Sequence, residues 1–248
     1  MVNLLQQRME ALEQQSRLTQ EDTERQLAGA LEAMRAALRR GPKILMLCNP
    51  NNPTGTRLSA EHVLQLAPSA PDTLVVVDEL YEAFTGDSVL PSADFKATPN
   101  LLVFRSLAKT AGLAGLRIGF AIGHADVVDR VSRVTGPYDV NSVAVAAAFA
   151  ALADQSYVDA YVAEVLRARD WTLNALRDSG VRHHCDGGNY LLIWPQRPVA
   201  EVDAALRQAG ILVRPMAGKP LIDGCFRVSI GTTSQMQRFM EAFLPLEQ

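Results

Sequence analysis

Apolar positions in the first forty residues recur at intervals of three and four: Leu5, Met9 and Leu12, then Leu27, Leu31, Met34 and Leu38. This is the period of an amphipathic helix, and Gly29 is the one helix-weakening residue in a stretch without proline. Thr19-Gln-Glu-Asp22 predicts a break and a cap between two helices. Residues 1–26 are thus expected to be a helical extension whose apolar stripe lies over a neighbouring apolar surface, and Leu27 to Arg40 a second helix. From Lys43 the pattern changes to short apolar runs, Ile44–Cys48 and Leu74–Val77, which predict buried strands, and Leu101–Phe104 and Arg117–Ile122, which predict the strands that follow. Between and after them, helices are predicted at Ser59–Leu66 with Ser59 as N-cap, Asp126–Val134, Ser142–Ala153 and Val158–Ser179, the last stopped by Gly180. The remainder predicts strands at Tyr190–Trp194, Ile211–Val213 and Cys225–Ile230 and helices at Ala200–Ala209 and Ser234–Phe243; His183 and His184 fall in a loop. Strands alternating with helices define an α/β unit on a mostly parallel sheet over residues 27–154. A small α+β unit over residues 155–248 follows.

Composition narrows the function without naming it. The chain has 248 residues, 48% apolar and 21% charged, enough for one large or two small globular units. A net charge of −3 argues against a nucleic-acid surface. Cys48, Cys185 and Cys225 are odd in number and widely spaced, which predicts reduced thiols rather than a disulfide or metal framework. The longest uncharged apolar run, Val143 to Ala153, is too short for a bilayer, and the N-terminus lacks a signal-peptide pattern, so a cytoplasmic protein without membrane contact is expected.

The candidate chemistry gathers at Phe104–Phe120. Of four lysines, Lys43, Lys96, Lys109 and Lys219, only Lys109 sits among small and apolar residues, the setting in which an amine becomes a usable nucleophile. Ser106 before it and Arg117 after it supply a neutral donor and a forked cation, the pair that a phosphate dianion needs. Asn49-Pro-Asn-Asn-Pro-Thr-Gly55 breaks the chain directly after the first strand, and Asp78 and Tyr81 follow the second. A carboxylate at the carboxyl end of a strand in an open α/β sheet lies where ligand contacts collect.

These segments resemble fold-type I pyridoxal-phosphate aminotransferases, and especially the histidinol-phosphate aminotransferase branch. The resemblance rests on Asn-Asn-Pro-Thr-Gly, Asp78-Glu-Leu-Tyr81, Ser106-Leu-Ala-Lys109…Gly-Leu-Arg117 and Phe226-Arg227-Val-Ser-Ile-Gly. It implies that Lys109 holds the cofactor covalently and moves a proton on the substrate, that Asp78 faces the ring nitrogen, and that Asn52 and Tyr81 face the phenolic oxygen. Ser106 and Arg117 would bind the phosphate, and Arg227, with Arg214 as the weaker candidate, the substrate's carboxylate or phosphate. An amino-group donor, a 2-oxo acid acceptor and a homodimer come with the family, and aromatic or threonine-phosphate substrates share its motifs.

The resemblance covers roughly residues 27 to 248. In full-length relatives a long N-terminal portion precedes the Ile44 strand and supplies phosphate donors at a helix N-terminus, an aromatic stacked on the ring and a tyrosine lent to the partner subunit. Residues 1 to 43 contain no counterpart, so a catalytically inactive truncated aminotransferase is the alternative expectation, with strands missing from both edges of the sheet. A remoter alternative, an acyl-serine hydrolase using Ser106-x-x-Lys109, lacks the Ser-Asp-Asn and Lys-Thr-Gly tripeptides that would accompany it.

Overall fold

The computed structural model describes residues 25, 28–136 and 138–247. The expected helical extension and the break at Thr19–Asp22 therefore lie, but for Arg25, outside the described residues. Helix α1 covers 28–38, with Leu31 and Leu38 buried. The chain then enters β1 (Ile44–Cys48), α2 (Ala60–Leu64), α3 (Leu66–Ser69), β2 (Leu74–Asp78), β3 (Leu101–Ser106) and β4 (Gly119–Gly123). The four strands lie in the order β1-β2-β3-β4, the first three parallel and β4 antiparallel to β3. Ser59 caps α2 as its position predicts, its hydroxyl accepting from His62 N–H.

Alternation along the strands assigns the two faces. Leu47, Val75, Val77, Leu101 and Val103 point to one face and form a core with Leu31 and Leu38 of α1 and Val63 and Leu66 of α2 and α3. Cys48, Asp78, Phe104 and Ser106 share the other face at its carboxyl end. On that second face β1, an edge strand among the described residues, leaves Ile44 and Met46 55% and 65% exposed.

Helices α4 (Ala125–Ser132), α5 (Ser142–Ala153) and α6 (Gln155–Asp178) lead to the C-terminal layer. Gly180 follows α6 at φ +69°, the left-handed conformation that ends it. The layer contains β5 (Arg182–His184), β6 (Tyr190–Trp194), α7 (Val199–Gln208), β7 (Arg214–Pro215), β8 (Phe226–Ser229) and α8 (Thr233–Phe243), with sheet order β5-β6-β8-β7. Two expectations are corrected here. His183 and His184 are strand residues paired with Ile193 and Leu192, because a three-residue edge strand is too short to show alternation. The strand placed at Ile211–Val213 is Arg214–Pro215 instead; Ile211 N–H is taken by Leu206 O in the helix-ending turn, so pairing begins only at Arg214.

The layers meet at the asparagine-rich loop. Gly55 has φ +79°, and a Cβ there would stand 3.0 Å from Gly187 O; one on Gly187 would stand 2.8 Å from Pro50 Cβ. Arg57 ties this contact at its edge, with Nε 3.0 Å from Asp186 Oδ1 and a second ion pair to Asp87. Gly187→Ala forces ring and backbone apart and is expected to cost about 1–3 kcal/mol of stability. Urea unfolding checks this, and an unchanged midpoint would show that the two layers do not depend on the contact.

Candidate active site

Each candidate residue comes from a turn or strand end whose local sequence dictates its shape. After β1, Asn49 is buried and acts as a strut, its amide donating to Leu58 O at 3.0 Å and its Oδ1 accepting Leu58 N–H at 2.7 Å. Asn51 N–H donates to Thr56 O at 2.8 Å, and Asn51 O accepts Gly55 N–H at 2.7 Å. This turn presents Asn52, whose Nδ2 donates to the Tyr81 hydroxyl at 3.2 Å. Tyr81 is 4% exposed in the turn after β2. Burial raises its phenol above the usual tyrosine range, the charge of Arg227 partly opposing, so the hydroxyl stays protonated.

Lys109 extends its amine over the Tyr81 ring, Nζ 5.6 Å from the centroid, and has no hydrogen-bond or ion-pair partner among the described residues. Arg227, from β8, donates to Asn52 Oδ1 at 2.5 Å. Asn52, Tyr81, Lys109 and Arg227 are therefore brought into one cluster from both layers. Asp78 ends β2 with Oδ1 accepting Leu80 N–H at 3.1 Å, and its other oxygen has no hydrogen-bond partner among the described residues. Burial raises the Cys48 thiol beside it above its ordinary range, a backbone hydrogen bond at Asn52 partly opposing. The thiol therefore remains protonated and is a poor rival to the lysine.

The phosphate pair is arranged differently from expectation. Arg117 lies before β4 rather than on it, in a left-handed conformation (φ 57°), and its guanidinium donates to Ala114 O at 3.1 Å. The apolar run from Ile118 disguised this, since the glycine-rich turn persists until Gly119 pairs with Ser106. Ser106 Oγ donates to Ile118 O at 3.2 Å and accepts Ala108 N–H at 3.1 Å. A serine ending a strand, with both hydroxyl roles taken by backbone, also speaks against an acylating nucleophile. Arg214 is exposed and lies directly opposite Arg227 across β7 and β8, so the two arginines share a face.

Sequence reasoning missed two features. Glu79, 1% exposed, accepts Arg105 Nε at 2.9 Å, Ser88 Oγ at 2.9 Å and Val89 N–H at 2.7 Å; a charged residue inside the otherwise apolar Leu101–Ser106 strand was the available signal. Tyr190 looked like an ordinary core position, and its hydroxyl reaches Asn51 O.

The set fits a planar aromatic aldehyde with a ring nitrogen: among the described residues Tyr81 O–H is a free donor toward a ring oxygen, one Asp78 oxygen is without a hydrogen-bond partner for a ring N–H, and the Lys109 amine is without one too. Comparison with known proteins agrees with the class this fold and cluster define. The chain belongs to the aminotransferase class I and II family, whose model matches residues 14–243. It is 38% identical over 219 residues to histidinol-phosphate aminotransferase 1 of Mannheimia succiniciproducens, covering 87% of this chain and 60% of that protein. The solved histidinol-phosphate aminotransferase of Sinorhizobium meliloti, in complex with pyridoxal-5'-phosphate, superposes with TM-score 0.77 at 26% identity, over 87% of this chain and 60% of that one. L-Threonine-O-3-phosphate decarboxylase of Porphyromonas gingivalis gives 0.72 at 30% identity, over 81% and 63%. Curated relatives of this kind are spanned over 55% to 61% of their length. The fold is accordingly a mostly parallel fold-type I sheet followed by a small α+β layer. Among the described residues no helix is long and apolar enough to cross a membrane.

Proposed function

We propose that the protein of which these residues form the described part is a pyridoxal-phosphate-dependent aminotransferase acting on histidinol phosphate with 2-oxoglutarate. The observation that carries the proposal is the junction of Asn52, Tyr81 and Lys109, with Arg227 closing it from the other layer. In this reading residues 27–154 form the cofactor-binding unit and residues 155–248 the small domain of a cytoplasmic homodimer. Bound pyridoxal phosphate supplies an electron sink for the charge that develops at the substrate α-carbon. Lys109 would hold the cofactor through its amine and would be the base that carries the proton from the substrate α-carbon. Asp78 would keep the ring nitrogen protonated, and Asn52 and Tyr81 would donate to the ring oxygen. Ser106 and Arg117 would take the phosphate after giving up Ile118 O and Ala114 O. The facing Arg214 and Arg227 suit an anion, either the carboxylate of glutamate or the phosphate of an amino-alcohol phosphate.

The test adds pyridoxal phosphate and histidinol phosphate, follows the cofactor's conversion from aldehyde to amine form, and then adds 2-oxoglutarate to return it to the aldehyde. The 248-residue chain by itself is expected to bind weakly and not to turn over. Each charge-assisted phosphate contact is worth about 1.5–3 kcal/mol, roughly tenfold in affinity at the low end. Misplacement of the ring costs on the order of a hundredfold in rate. Full turnover by this chain would refute the view that further phosphate and stacking groups are indispensable. In parallel samples of the aldehyde form, conversion by glutamate with none by histidinol phosphate would remove the substrate assignment while leaving the reaction class.

A further inference from the structure

Tyr190 opens β6 and has no part in the chemistry above, yet it touches every layer of the cluster. Its side chain is buried, and its hydroxyl donates to Asn51 O at 2.5 Å. That carbonyl also accepts Gly55 N–H, the bond that closes the turn carrying Asn52. The Tyr190 ring meets the Tyr81 ring edge-on with centroids 5.1 Å apart, and the Arg227 guanidinium lies 5.3 Å from its centroid. Burial raises its phenol far above the usual tyrosine range, so the proton stays in place to be donated.

A phenylalanine could make the ring contacts; only a hydroxyl reaches the Asn51 carbonyl. The neighbouring approach of Gly187 to Gly55 and Pro50 sets how closely the layers come together but has no direction. A hydrogen bond to the peptide between Asn51 and Asn52 does have one, because turning that peptide turns the Asn52 side chain with it. We infer that Tyr190 is a positioning residue: its hydroxyl tethers the loop at Asn51 O and aims the Asn52 amide at Tyr81 and at the ring oxygen of the cofactor. The inference rests on the cofactor reading above and assigns the C-terminal layer a role in orienting a group that belongs to the N-terminal one.

Tyr190→Phe tests it cleanly, since Asn51 O keeps the Gly55 donor and no buried acceptor is stranded. In the ligand-free chain, amide exchange across residues 51–56 is expected to quicken about three- to tenfold, the equilibrium worth of one hydrogen bond. With pyridoxal phosphate bound, the pH midpoint of its visible band is expected to rise, because a poorly aimed Asn52 favours the anionic ring oxygen less. Asn52→Ala is the parallel control for the site itself. Unchanged exchange and an unchanged pH midpoint in Tyr190→Phe, with Asn52→Ala weakening cofactor uptake, would overturn the tether and leave the cofactor site standing. Equal uptake by the parent chain and Asn52→Ala would overturn the site, and the exchange comparison alone would then decide for or against the tether.

Discussion

Borohydride reduction of the chain with pyridoxal phosphate will leave the cofactor's mass on the peptide that contains Lys109, and Lys109→Ala will abolish that labelling. The reason is positional. Lys43, Lys96 and Lys219 are exposed, whereas Lys109 is half-buried with its amine over the Tyr81 ring and no anionic partner among the described residues. An exposed lysine forms such adducts only transiently; one half-buried with its amine over the Tyr81 ring retains them. In any assembly that turns over, the same substitution is expected to lower the rate by about 10²–10⁴-fold or more, the worth of a positioned proton carrier. Peptide mapping decides the first part, and labelling spread evenly over the four lysines would remove the case for Lys109.

Arg105→Met is expected to destabilise the fold more than any substitution in the cofactor cluster. Glu79 is almost wholly buried, and Arg105 is the cation on it, also pairing with Glu82 and donating to Ser88 Oγ at 2.8 Å. Without Arg105 the Glu79 carboxylate keeps only a hydroxyl and the Val89 N–H, and stranding a buried charge costs about 3–5 kcal/mol. Because Arg105 is 23% exposed, the lower end of that range is expected. The pair Glu79→Met with Arg105→Met should recover much of the loss, since it removes the stranded charge along with its partner. Urea midpoints for the single and double variants check both statements. A double variant worse than Arg105→Met would show that the pair acts through packing instead. Glu79 and Arg105 follow Asp78 and precede Ser106, so this ion pair also holds in register the strand ends that carry the candidate site.

Much of this was legible in the chain itself. Buried strands β2 and β3 announced themselves as unbroken apolar runs, β1 and β4 gave the same signal although neither is buried along its length, and helix α5 ran over the residues that its Ala and Val content predicted, from Ser142 to Ala153. Asn52, Tyr81, Lys109 and Arg227 were singled out by the segments that resemble the aminotransferase family, and the structure brings the four into one cluster.

What sequence could not determine depends on groups far apart in the chain or on conformations that side-chain pattern does not encode. Arg117 was placed on a strand because Ile118–Ile122 is apolar, whereas its left-handed backbone and its bond to Ala114 O follow from how the loop closes on β3. β5 is too short for periodicity, and only pairing with β6 makes it a strand. Tyr190 carries the same pattern signal as any core aromatic, and its hydroxyl gains meaning only when the C-terminal sheet docks 139 residues away in sequence against Asn51. Local propensity and burial periodicity therefore determined the elements and the chemical inventory. The tertiary structure alone decided which donors face each other, because hydrogen-bond direction between the two layers is set by their packing and not by either segment.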